Sequence, residues 1–134
     1  MFIPKNFKFR KHQKGKNFNK ILSKLTVQKP NCIKLKTTTF GRLTSNELKA
    51  LKQNINKIIK KRGRVVFITF PQTAITKKPI EIRMGKGKGA FNHWVAKIRA
   101  GTIICFIESE FLLLTHKALT YAKNRLSIKT KITK

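Results

Sequence analysis

TSNELKALKQNINKIIKKRG, residues 44–63, is the stretch from which the architecture is read. Thr44 and Glu47 stand three apart ahead of an apolar series. This is the spacing of a capping box, in which a hydroxyl and a carboxylate each take a backbone amide that the helix start leaves without a partner. Leu48, Leu51, Ile55, Ile58 and Ile59 follow at helical intervals and form one stripe. Lys60, Lys61 and Arg62 gather where the helix dipole is negative, and Gly63 is placed as the C-terminal cap. The spacing predicts a helix over residues 45–62, its stripe inward and Lys49, Lys52 and Lys57 toward water.

Working outward, residues 31–40 predict a strand in which Ile33 and Leu35 alternate with Lys34 and Lys36, until Gly41 breaks it. Residues 64–70 are apolar almost throughout and predict a strand covered on both faces, ended by Pro71. A loop with Pro79 leads to a short strand at 80–84. Further strands are predicted at 91–99 and 102–108, with Ala100-Gly101 as the turn between them. Residues 111–125 predict a second helix, with Leu114, Ala118, Tyr121, Ala122 and Arg125 on one face, and 127–132 a last strand. Strands and helices mix without a regular βαβ repeat. The expected fold is α+β, a two-layer sandwich of two helices on one side of a mainly antiparallel sheet. Neither a repeat nor a linker divides the chain, so 1–134 reads as one domain and 1–29 as an extended basic N-terminal arm within it.

The charge balance bounds the function. Thirty-two lysines and arginines face four glutamates and no aspartate, a net charge of +28 on 134 residues. Like charges at that density repel, and a polyanion relieves them; nucleic acid is the densest one in a cell. Hydrophobic content of 40% separates the chain from a disordered basic tail. Glu47, Glu81, Glu108 and Glu110 are too few for a carboxylate-bound metal centre, so no enzyme activity, metal or cofactor is expected. Cys32 and Cys105 lack a CxxC pattern and read as small buried side chains. His12, His93 and His116 are scattered, and His93 and His116 read as structural or RNA-facing rather than catalytic. The start has no apolar run of signal-peptide length. The most apolar stretch, 102–115, is interrupted by Glu108 and Glu110 and is too short for a bilayer, so no membrane insertion is expected.

In the arm, Lys5, Lys8, Arg10, Lys11, Lys14 and Lys16 crowd together with Phe2, Phe7 and Phe9 between them. Alone in water such a segment is expected to move. Against RNA its cations meet phosphates and its rings meet bases. The sharpest local feature is Arg83-Met84-Gly85-Lys86-Gly87-Lys88-Gly89, three glycines alternating with two lysines between predicted strands. Glycine admits positive backbone angles and close approach, and successive amides turned inward make a nest for an anion. No GKS or GKT follows, so it is not a Walker loop, and it does not open a helix as the dinucleotide fingerprint does.

RMGKGKGAFNHW, residues 83–94, resembles the hallmark of the bacterial-type L-sixteen family of large-subunit ribosomal proteins. The resemblance continues through Pro4-Lys5, Lys8-Phe9-Arg10-Lys11, Lys14-Gly15, Phe40-Gly41-Arg42-Leu43-Thr44 and Lys61-Arg62-Gly63-Arg64. It goes on through Phe70-Pro71, Ile75-Thr76-Lys77-Lys78-Pro79 and Leu126-Ser127-Ile128-Lys129-Thr130. The chain departs from the family at Val66, where a tryptophan is usual, at Ile68, where a basic residue is, and at Gln72, where an aspartate is. The block 21–36 matches poorly, and 107–113 is more apolar than is typical.

The resemblance implies a structural constituent of the large ribosomal subunit, bound to large-subunit rRNA near the aminoacyl-tRNA site and helping to position tRNA. It implies rRNA contacts by Lys5, Lys8, Arg10, Lys11, Lys14, Lys16, Arg42 and Arg64. It places Arg83, Met84, Gly85, Lys86, Gly87, Lys88 and Gly89 in a loop near rRNA and tRNA. The partners implied are rRNA, transient tRNA and neighbouring ribosomal proteins, with no homo-oligomer. Twenty-five lysines against seven arginines, with abundant Ile, Asn and Phe, point to an A/T-rich genome. Together with the departures, that bias suggests an organellar ribosome, of a mitochondrial matrix or alternatively a plastid. The alternative function is a free-standing DNA-compacting protein of an organelle, which would share the charge without the ordered match.

Overall fold

The computed structural model describes residues 2–9, 11–13, 15 and 32–134. In chain order these form β1 (Cys32–Thr37), β2 (Gly41–Thr44), α1 (Ser45–Ile59), β3 (Arg64–Phe67) and β4 (Thr73–Lys77). There follow β5 (Ala90–Ile98), β6 (Ile103–Glu108), α2 (Leu112–Lys123) and β7 (Thr130–Thr133). The architecture is the expected α+β sandwich. All strand pairings are antiparallel, but the strands divide into two sheets, one ordered β3-β6-β1-β7 and the other β2-β5-β4.

Helix α1 begins as its sequence dictates. The Thr44 side chain accepts from the Glu47 amide at 3.2 Å, and the Glu47 carboxylate accepts from the Thr44 amide at 2.7 Å. Leu48, Leu51, Ile55 and Ile59 are buried, in one apolar cluster with Leu43 of β2, Ala96 and Ile98 of β5, Leu35 of β1, Ile104 and Ile107 of β6 and Leu119 of α2. One core therefore spans both sheets.

The helix ends earlier than expected, at Ile59, and Gly63 is not its cap. Lys60 (φ 47°) and Lys61 (φ 69°) take the left-handed turn themselves, with the Lys60 amide donating to Asn56 O at 3.0 Å. That conformation costs a non-glycine residue about 1–2 kcal/mol. Gly63 serves a different need. A Cβ there would lie 2.9 Å from Ser109 Cβ, so the position must be bare for the chain to pass the start of α2. Ser109 Oγ in turn donates to Arg62 O and accepts from the Phe111 amide, which ties the end of α1 to the start of α2.

Other boundaries shift for physical reasons. Gly41 opens β2 rather than ending a strand, because residues 38–40 make the break and β2 pairs with β5. The predicted strand at 64–70 is only β3, and it lies at a sheet edge with its residues partly exposed, not covered on both faces. The predicted strand at 80–84 is turn and loop, with Ile80 95% exposed; the true strand is β4, ahead of Pro79. The second helix buries Thr115, Ala118, Leu119 and Ala122, whereas Tyr121 is exposed. Thr115 enters the core because its hydroxyl donates to Phe111 O one turn back at 2.9 Å.

Ala100-Gly101 does form a turn, but it carries the chain from one sheet to the other rather than closing a hairpin. Buried Thr37 stitches that corner. Its amide donates to Thr102 O at 2.9 Å, its hydroxyl lies 2.9 Å from Arg99 O, and its carbonyl accepts from the Gly101 amide at 2.8 Å. Cys32 and Cys105 are both buried and form no disulfide, and burial pushes the Cys105 thiol up to about 12, so it stays protonated at neutral pH.

Leu51→Ala is expected to cost about 2–5 kcal/mol in denaturant unfolding, the loss of transfer energy plus an unfilled cavity. Thr44→Ala is expected to cost about 1 kcal/mol. Similar losses for the two variants would mean that the stripe of α1 is not the main support.

Candidate nucleic-acid interface

The glycine-lysine segment is the middle of the connection between β4 and β5. Arg83, Met84, Gly85, Lys86, Gly87 and Lys88 are all exposed, Met84 completely. Gly85 (φ 95°), Lys86 (φ 51°) and Gly87 (φ 82°) form three consecutive left-handed residues, and a Cβ on either glycine would meet nothing within 4 Å. The glycines there serve conformation, not space. Three successive residues of this hand turn the chain outward, so the segment stands as a projecting cationic tip. Lys78 Nζ donates to Gly85 O and braces the base of the tip, while Gly89 lies against the Lys77 backbone.

The arm reaches this loop. Lys11 Nζ donates to Lys88 O at 3.4 Å, and Lys88 Nζ donates to His12 O, a reciprocal tie between segments 76–77 positions apart. Farther along, Arg42 Nη2 donates to Gly15 O at 2.9 Å. Lys97, not singled out in the sequence, lies directly opposite Arg42 in the β2–β5 register. Two cations facing each other across a strand pair repel, and a shared anion removes the penalty. Outward alternation along β5 was the available signal for Lys97.

Lys5, Lys8 and Lys11 are exposed on the described part of the arm. Arg10, Lys14 and Lys16 lie outside the described residues. Arg64 is exposed at the start of β3, on the edge of the other sheet, and does not join the group around the loop. The structure thus brings Lys11, Arg42, Lys88 and Lys97 along one path and leaves Arg64 apart.

The rings of the arm divide in their use. Phe2 is 3% exposed and meets Phe67 edge-on at 5.1 Å. Phe7 meets Trp94 at 4.9 Å and His12 at 4.9 Å. These two pack on protein, against the expectation that the arm's rings face bases; among the arm's described rings, Phe9 alone, 68% exposed, is turned outward. Among the described residues no group of three His, Cys or acidic side chains is placed to hold a metal, and no helix is long and apolar enough to cross a membrane.

The profile of the ribosomal protein L16p/L10e family matches residues 4–133, so it takes in the arm, both sheets and the loop. The chain belongs to this family. Curated relatives named large ribosomal subunit protein uL16 match along their lengths. That of Dichelobacter nodosus is 40% identical over 130 residues, 97% of this chain and 94% of the relative. Those of Psychrobacter arcticus and Chlamydia pneumoniae are each 40% identical over the full 134 residues, covering 97% and 96% of the relatives. These relatives are bacterial ribosomal proteins, and the continuous alignment leaves the DNA-compacting alternative unsupported.

Phe7→Ala is expected to red-shift the emission of Trp94, the single tryptophan, and to increase its quenching by acrylamide. A stability loss of about 1 kcal/mol from the ring pair is expected with it. Unchanged emission would show that the arm does not seat on β5.

Proposed function

We propose that the chain is a structural constituent of the large ribosomal subunit, holding large-subunit rRNA through the arm and β2–β5 cations and presenting the 83–89 loop to tRNA at the aminoacyl site. The observation that carries this reading is the exposed cationic tip tied to the basic arm, within a chain that matches its family from end to end. The mechanism is electrostatic and architectural. Lysines neutralise phosphate, left-handed glycines let the main chain project, and the packed body fixes where the tip stands. Recognition follows RNA shape and backbone more than base edges.

On this reading the chain acts without catalysis, as one copy among neighbouring ribosomal proteins. rRNA anchoring is assigned to Lys5, Lys8, Arg10, Lys11, Lys14, Lys16 and Arg42, with Arg64 as a separate contact on the far sheet. Arg83, Met84, Gly85, Lys86, Gly87, Lys88 and Gly89 form the part nearest tRNA. The lysine-heavy, A/T-type composition supports a mitochondrial ribosome, with a plastid ribosome as the alternative.

With about ten phosphates contacted, the rRNA binding constant is expected to fall with a log–log salt slope on the order of −7 to −9. A slope near zero would contradict the electrostatic mechanism. The double variant Lys86→Ala, Lys88→Ala is expected to leave the fold intact and to lower tRNA binding to reconstituted subunits about tenfold, with a smaller loss of rRNA anchoring. Equal loss of both, or of neither, rejects this division.

A further inference from the structure

The β4–β5 pairing slips at one place. Ile75 faces His93 and Thr76 faces Phe91, so Asn92 is an extra residue in β5, a β-bulge. In a regular strand residues 91 and 94 point to opposite faces. The bulge turns Phe91 to the side of Trp94, and the two ring centroids stand 5.0 Å apart at 50°. Bulges of this kind re-aim a side chain and recur beside binding sites. Phe7 also meets Trp94, at 4.9 Å, so Trp94 contacts two rings. Trp94 is 7% exposed and Phe91 36%, so Phe91 keeps an open surface.

That surface walls a cleft of about 430 Å³ between the arm, β5 and the first turn of α1. Ligand pockets run from roughly 300 to 1,000 Å³. Lys5 reaches it from the arm and Lys49 from α1. Ser45 and Asn46 line it at the start of the helix, where amides have no intrahelical partner and the dipole favours an anion. Asn92, placed at its wall by the bulge, offers an amide with both donor and acceptor. Aromatic surface, an amide, two ammonium groups and a helix start converge in a space too small for a duplex.

We propose that this cleft takes one unpaired nucleotide of an RNA strand, its base stacked on Phe91 and its phosphate held by Lys5 and Lys49. The proposal rests on the rRNA-binding reading above and adds to it a seat for a base. Stacking on an aromatic side chain contributes about 1–3 kcal/mol per base, or roughly five- to 150-fold in affinity. The backbone cations alone give no preference for a base.

Fluorescence of Trp94 in the full-length protein tests it at about 0.2 M salt, where general attraction to phosphate is reduced. The probes are a single-stranded oligoadenylate of about six nucleotides and an abasic ribose-phosphate strand of equal length. The oligoadenylate is expected to quench Trp94 and to bind about tenfold tighter than the abasic strand. Phe91→Leu is expected to abolish that difference while leaving affinity for the abasic strand unchanged. Equal affinity of the two strands, or failure of both to bind, overturns the nucleotide seat yet leaves rRNA binding standing; failure of large-subunit rRNA itself to bind the protein at low salt removes the rRNA reading. Ultraviolet cross-linking of intact large subunits gives a second readout independent of any variant. A nucleotide adduct is expected on the peptide carrying Phe91 and Trp94, and adducts confined to other peptides overturn the proposal.

Discussion

Burial of one apolar stripe holds this molecule together against its own charge. Leu48, Leu51, Ile55 and Ile59 of α1 meet residues of both sheets and of α2 in a single cluster. The chain carries thirty-two cationic side chains and four acidic ones, and among the described residues none belongs to that cluster. Self-repulsion of that order favours expansion, and a core of this size gives only a modest opposing term. The expected remedy is external: polyanion bound to the surface adds attraction to the packing. On the proposed reading the stripe sets geometry, and bound RNA would add stability.

The two contributions meet at β5. Its inner residues Val95, Ala96 and Ile98 are buried, whereas Lys97 points outward opposite Arg42. Ahead of them the same strand carries the bulge, the Phe91–Trp94 ring pair and the root of the cationic loop. A nine-residue strand thereby joins the core to every part of the proposed RNA surface except Arg64 and the outermost arm.

Local signals were legible in the sequence where one residue type settles the matter. The capping box and the α1 stripe are written in Thr44, Glu47 and the leucine-isoleucine spacing, and the structure has them. The exits were less legible. A lysine pair took the left-handed turn expected of Gly63, because the glycine was required farther on, where Ser109 crowds the chain. The isoleucines at 80 and 82 suggested a strand, yet they join neither sheet and stand exposed on the loop. The division into two sheets was hidden because a turn at Ala100-Gly101 has the same sequence character whether it closes a hairpin or crosses between layers. Of the interface, the glycine-lysine loop was plain from composition. The tie between Lys11, His12 and Lys88 and the cleft behind Phe91 were not, since they depend on a bulge and on contacts between distant segments.

The stitch at Thr37 has a kinetic consequence. Its partners Arg99 and Thr102 lie 62 and 65 positions later, and neighbouring Thr38 is fastened to Lys129, 91 positions on. Contacts at such separation demand large loop closures before they return any stabilisation, which slows folding. During synthesis the first hundred residues therefore emerge as an open polycation whose layers cannot yet lock. On the proposed reading, a chain still waiting for its last strand would meet rRNA as a flexible ligand, and the order of binding and closure would become part of how the particle is built.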